Sequence, residues 1–264
     1  MTVSRESERA GPVTDQPTGV WVYGVCPMDE DLDLDTLTDD LGTGRMWAVE
    51  QDGLRTVVGE ASETPASAAE STALRAHLRV LEALHAKTTL VPAAFGTVLP
   101  DEQAIRTHLL AGRDEELRRL LERLAGRVEV IVRAEADDDA VVETVLAEHP
   151  DIRQQGRGIE SARDPMARLR GRLALGERVA EAVAAHQRAV ASALLERLSS
   201  HADAVAPRDE EALTSLDAAF LIEEGQLDVF DADVDELAAE HPGWRFRSVG
   251  PAPPHHFVDA PWSG

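Results

Sequence analysis

A chain of 264 residues, 43% hydrophobic and 28% charged, holds enough apolar material for one large domain or two ordinary ones, which argues against wholesale disorder. A formal net charge of −23 argues against nucleic acid as a partner, and a single cysteine, Cys26, excludes an internal disulfide and fits a reducing cytoplasm. No stretch approaches the roughly 18 apolar residues of a membrane span. The first 19 residues lack the apolar centre of a signal peptide and read as a mobile tail.

In chain order, the first predicted strand is VWVYGV, 20 to 25, rich in β-branched and aromatic residues. The acidic stretch DEDLDLD reads as a solvated loop. In RMWAVEQDGLRTVVGE two apolar runs flank Asp52-Gly53, which predicts a hairpin. An alanine-rich helix over about 66 to 87 follows, with Leu74, Leu78, Leu81 and Leu84 as its expected buried stripe. The segment TTLVPAAFGTVLPDE, 88 to 102, is apolar, but Pro92, Gly96 and Pro100 break it into two short extended pieces. Asp101 is the expected N-cap of a helix carrying Ile105 and Leu109. Gly112 interrupts that helix, Asp114 can cap the next, and Gly126 stops it.

The second half begins with RVEVIVRAE, 127 to 135. Its alternation places Val128, Val130 and Val132 on a buried face and Glu129 and Arg133 on the other. A short helix over about 138 to 148 ends before Pro150. Asp164-Pro165 opens a long helix reaching about residue 200, in which Met166, Leu169, Leu173, Val183, Val190 and Leu194 fall near a three-four spacing. A strand near ADAVAP, a strand DAAFLIE, a helix over about 226 to 240 and a strand WRFRSV complete the chain. Strand, helix, strand, strand, helix, strand is the ferredoxin-like βαββαβ order, with an antiparallel sheet and helices on one face.

The candidate reactive groups do not combine. Asp31, Asp33 and Asp35 imitate the start of a calcium loop, but Thr36 stands where glycine is required and Gly42 where a bidentate glutamate is required. LGTGRMW lacks the third glycine of a dinucleotide fingerprint and the strand before it. Cys26, at the end of an apolar strand, reads as a small core residue. His77 and His85 lie eight residues apart, too far round a helix to form a metal pair alone. His255 and His256, if extended, point to opposite faces. The carboxylates sit mostly beside arginines on helical faces, where pairing or solvation accounts for them. No catalytic, metal or cofactor site is expected.

Four stretches in a fixed order carry a resemblance. They are the strand with Tyr23 and Gly24, the helix with HLRVLEAL, the segment LVPAAFGTV with Pro92, Phe95 and Gly96, and a leucine-rich helix leading to GRVEVIVRA. The closing GPAPPHHFV adds Gly250, Pro251, Pro254 and Phe257. From about Val20 to Val258 this pattern resembles the gas vesicle protein F/L family, GvpF and GvpL. Ala94 stands where the family often has arginine, His255-His256 where it usually has tyrosine, and DPMARLRGRL replaces a tyrosine-containing segment at the start of the long helix.

The order of elements places a tail over 1–19, an N-terminal α+β domain over 20–126 and a ferredoxin-like domain over 127–259; the resemblance implies the same, an α+β protein of two domains, the second a modified ferredoxin-like fold with long helices. It implies a cytoplasmic, non-enzymatic assembly or minor structural component of gas vesicles that contacts the small hydrophobic shell protein and other accessory proteins, with no cofactor, membrane or nucleic acid. Such a role predicts a solvent-exposed apolar strip or sheet edge, with the helix at 165 to 200 as one place for it. The segment 88 to 102 is expected either to dock its flanking helices around Gly96 and Phe95, or to offer an unpaired edge to the shell protein. A small-molecule-sensing module is the alternative function and predicts a concave pocket between the domains with convergent polar groups.

Overall fold

The computed structural model describes residues 19–28, 32–61, 67–161, 163–209 and 213–258. These cluster into two compact units, one built mainly from residues up to Thr88 and from Ala93–Arg118, the other mainly from residues 119–258. The expected mobile tail lies outside the described residues except Gly19, which opens the first strand.

One sheet is built from β1 (Gly19–Pro27), β2 (Met46–Gln51), β3 (Leu54–Ala61), and the two-residue strands β4 (Val91–Pro92) and β5 (Val98–Leu99), all but β4 within the first unit. The sheet order is β2-β3-β1-β4, and β5 also pairs with β1. The β2–β3 hairpin turns at Asp52 and Gly53, both with positive φ, as the Asp-Gly pair predicts. A helix not expected from the sequence, α1 (Leu34–Leu41), replaces part of the acidic loop. The Asp33 carboxylate accepts hydrogen bonds from the Thr36 amide and hydroxyl, so acidity that reads as loop composition is a helix cap.

Helix α2 (Ser67–His85) buries His77, Val80, Leu81 and Leu84, but Leu74 and Leu78 are 38% and 37% exposed. The buried stripe is shifted from the expected one because a histidine occupies one of its positions. Asp101 caps the short helix α3 (Glu102–Ala104) through the Ala104 amide, and a π-helical turn over Ile105–Leu110 continues it. Gly112, with φ +73, precedes α4 (Asp114–Leu124), which buries Leu117, Leu121 and Leu124.

The second unit is an antiparallel sheet of β6 (Arg127–Ala136), β7 (Ala204–Pro207), β8 (Leu216–Glu223) and β9 (Trp244–Ala252), in the order β7-β8-β6-β9. Its helices are α5 (Asp138–Glu148), α6 (Pro150–Ser161), α7 (Pro165–Ser199) and α8 (Leu227–Glu240). This is the expected βαββαβ arrangement, with α6 inserted as a helix not expected from the sequence. Val128, Val130, Val132, Phe220 and Ile222 from the sheet pack with Ala191, Leu194 and Leu198 of α7 and Phe230, Val234 and Leu237 of α8. Phe220 and Phe230 meet at 5.3 Å between ring centroids. Arg197 of α7 reaches Asp233, Glu236 and Glu240 of α8, tying the two helices together at their outer edge.

Phe220 is fully buried at the centre of this core. Phe220→Ala is expected to cost about 3–5 kcal/mol of unfolding free energy, measured by urea denaturation, with the circular dichroism of the native state retained.

Candidate functional site

The residues that carry the resemblance fall into two groups, one around β1 and one in the closing segment. In the first, Tyr23 sits at a register shift of β1 and passes its ring over Gly59, where any Cβ would come within 3.1 Å of the ring. Burial pushes its phenol above the ordinary tyrosine value. The ring stacks on His77 at 5.5 Å, and Trp21 and Phe95 close on the same imidazole at 5.8 and 5.6 Å.

The hydrogen bonds fix the histidine's protonation. Trp21 Nε1–H can only donate and lies 2.9 Å from His77 Nδ1, so Nδ1 accepts. Nε2 then carries the proton and donates to the Ala93 carbonyl at 3.2 Å. This neutral tautomer also holds the bend after Pro92. Ala93 N–H donates to Tyr23 O, Val22 N–H donates to Thr97 O, and Gly96 supplies a φ of +89. The backbone of the bend is therefore engaged with β1. A single histidine on an apolar stripe carries no motif, so the role of His77 is not legible from sequence alone; its position among Val80, Leu81 and Leu84 is the available signal.

In the second unit the closing segment lies on the sheet face opposite α7 and α8. Glu129, placed by its alternation on a solvated face, is only 2% exposed. Its carboxylate accepts the His256 backbone N–H at 2.8 Å and lies 2.7 Å from His256 Nδ1. His255 and His256 are in a 3₁₀ turn with Phe257, so the extended reading that sent them to opposite faces is corrected. Arg123 donates to the Phe257 carbonyl, and Pro254 and Phe257 are buried. Gly250, joined to Pro251 by a cis peptide bond, passes so close to β6 that a Cβ would meet the Glu129 carbonyl oxygen at 2.8 Å. The Glu129 carboxylate thus holds the closing segment through His256, and Gly250 lies against the Glu129 backbone, while Gly24 and Pro92 lie within β1 and β4.

Two further surfaces stand out among the described residues. The half of α7 nearest its start carries Met166, Leu169 and Leu173, exposed by 60%, 52% and 62% and spaced i, i+3, i+7 on one helical face. The face roughly opposite packs on α6, where Ile159 fits against Gly171 and Leu175 against Gly156. A groove of about 540 Å³ runs along α7 and the start of β8, lined by Ala191, Leu195, Leu213 and Asp217 among others. Asp217 there is already bound by Arg133 at 2.5 Å and by Arg208 at 2.9 Å. Cys26 is buried in β1, near the Arg55 carbonyl. Among the described residues no group of three or more His, Cys, Asp or Glu side chains is placed to hold a metal, and no helix is long and apolar enough to cross a membrane.

The geometry defines an α+β protein with a ferredoxin-like second unit, whose motif residues organise the chain around a buried histidine and a buried carboxylate. Residues 19–259 match the family described as gas vesicle synthesis protein GvpL/GvpF, and the chain belongs to that family. It is 34% identical over 189 residues to gas vesicle protein F of Streptomyces sp. strain CB03234, covering 70% of this chain and 77% of that protein. Gas vesicle protein F2 of Halobacterium salinarum is 26% identical over 247 residues, covering 91% and 92%. The crystal structure of GvpF from Anabaena sp. PCC7120 shares the fold with a TM-score of 0.75 at 24% identity, covering 92% of this chain and 99% of that one. Family membership associates the chain with gas vesicles.

Two predictions test the buried groups. Burial lowers the His77 pKa below its ordinary value of about 6.5, so the unfolded state binds the proton more tightly. The stability His77 contributes is complete above pH 6.5 and declines as pH falls below it. The wild-type melting temperature is expected to drop from pH 7.5 to 5.5, with a smaller drop in His77→Gln. Glu129→Ala strips the His256 amide of its acceptor and is expected to cost about 1–3 kcal/mol, with faster limited proteolysis at residues 253–258.

Proposed function

We propose that this chain acts without catalysis, as a cytoplasmic accessory or minor structural component that assists gas vesicle assembly by binding the small hydrophobic shell protein. The observation that carries the reading is the apolar face of α7. Met166, Leu169 and Leu173 stand in solvent at helical spacing, on a helix whose opposite side is occupied by α6. Grouped large apolar side chains held in water favour an apolar partner. The bend at residues 92–99 suits that purpose less, since its backbone already pairs with β1. A small-molecule-sensing role would use the groove beside α7, where the Asp217 carboxylate is committed to two arginines.

The test is co-purification with the shell protein. Met166→Ser, Leu169→Ser and Leu173→Ser combined change only exposed side chains, so the fold and circular dichroism are expected to survive. Recovered shell protein is expected to fall roughly tenfold. Undiminished recovery would remove this face as the docking surface.

A further inference from the structure

We infer that the tip formed by α6 and the start of α7 recognises a partner segment in which carboxylates flank apolar side chains. This rests on the proposed binding role and specifies the chemistry of what binds. The chain carries a net charge of −23, yet between Arg153 and Arg172 six arginines stand against two carboxylates, Glu160 and Asp164. Asp164 is occupied as the N-cap of α7, accepting from the Met166 amide at 3.0 Å.

The arginines border the apolar face. At 100° per residue, Met166, Leu173 and Leu169 span about 60° of the helix circumference. Arg170 lies about 40° beyond Met166, and Arg172 about 60° beyond Leu169, so a guanidinium stands on each side. Both are exposed, and no described residue forms an ion pair with either. Arg178, further along and turned toward α6, is by contrast held by Asp151 and Gln155.

An apolar strip with a guanidinium on each side is complementary to a helix or strand whose apolar side chains are bordered by Asp or Glu. An extended anionic surface, such as a lipid bilayer, would face the whole chain's negative field and be repelled. A discrete acidic segment meets only the basic tip, which selects the segment over the surface.

The experiment measures retention of purified shell protein on the immobilised full chain, in low and high salt. Arg170→Glu with Arg172→Glu is expected to lower retention about tenfold in low salt, Arg170→Lys with Arg172→Lys to preserve most of it, and high salt to weaken the wild type. If the glutamate variant binds like the wild type while the Met166, Leu169 and Leu173 serine variant does not, the inference fails and the binding role stands. If neither variant changes retention, the binding role of this surface fails as well. Salt-independent retention overturns the inference. So does sedimentation of the wild type with phosphatidylserine vesicles, or self-association that the glutamate variant abolishes, since a bilayer or a second copy would then be the occupant.

Discussion

A 35-residue helix cannot be covered by the sheet it packs on. At about 1.5 Å per residue α7 is roughly 52 Å long, whereas the ten residues of β6 extend about 33 Å. The hydrophobic core engages α7 through Ala191, Leu194 and Leu198, all near its end. The first half must be supported some other way, and α5 and α6 provide that support. Gly171 lets Ile159 approach within 3.0–3.4 Å of where a Cβ would stand, and Arg178 ties back to α6. One helix face is thereby fixed from behind and left open in front. A pre-organised apolar face loses little conformational entropy when a partner covers it.

The buried polar groups serve the same end of holding chain geometry. His77 is locked in one neutral tautomer by a donor on one side and a carbonyl on the other. Glu129 accepts from the backbone of a residue 127 positions away. Burying such groups without partners would cost more than it returns, so each specifies where a distant segment must lie. The residues that carry the family resemblance therefore read as anchors of two backbone irregularities, the positive φ at Gly96 and the close approach of Gly250 to β6, and the exposed face of α7 is a separate feature.

Much of the fold could be read from local chemistry. Asp52-Gly53 fixed the hairpin, Asp164-Pro165 fixed the start of α7, and alternating valines fixed β6. The failures share a cause. Helix α6 contains Gly156 and Gly158 in a polar stretch, so its propensity is poor, and its packing against α7 outweighs that. Glu129 alternates with valines as a solvent-facing residue would, and only the returning closing segment buries it. Leu74 and Leu78 fit a helical stripe, but the register that buries His77 turns them outward. The candidate docking face was legible as spacing; that Met166, Leu169 and Leu173 stay in water depends on α6 taking the other side.

We propose that the first half of α7 is the surface a gas vesicle component covers. Hydrogen–deuterium exchange of the full chain, with and without purified shell protein, reads this directly. Added protection concentrated in residues 165–178 is expected. Protection confined to the β1–β5 sheet or to the groove beside β8, with α7 unchanged, would contradict it.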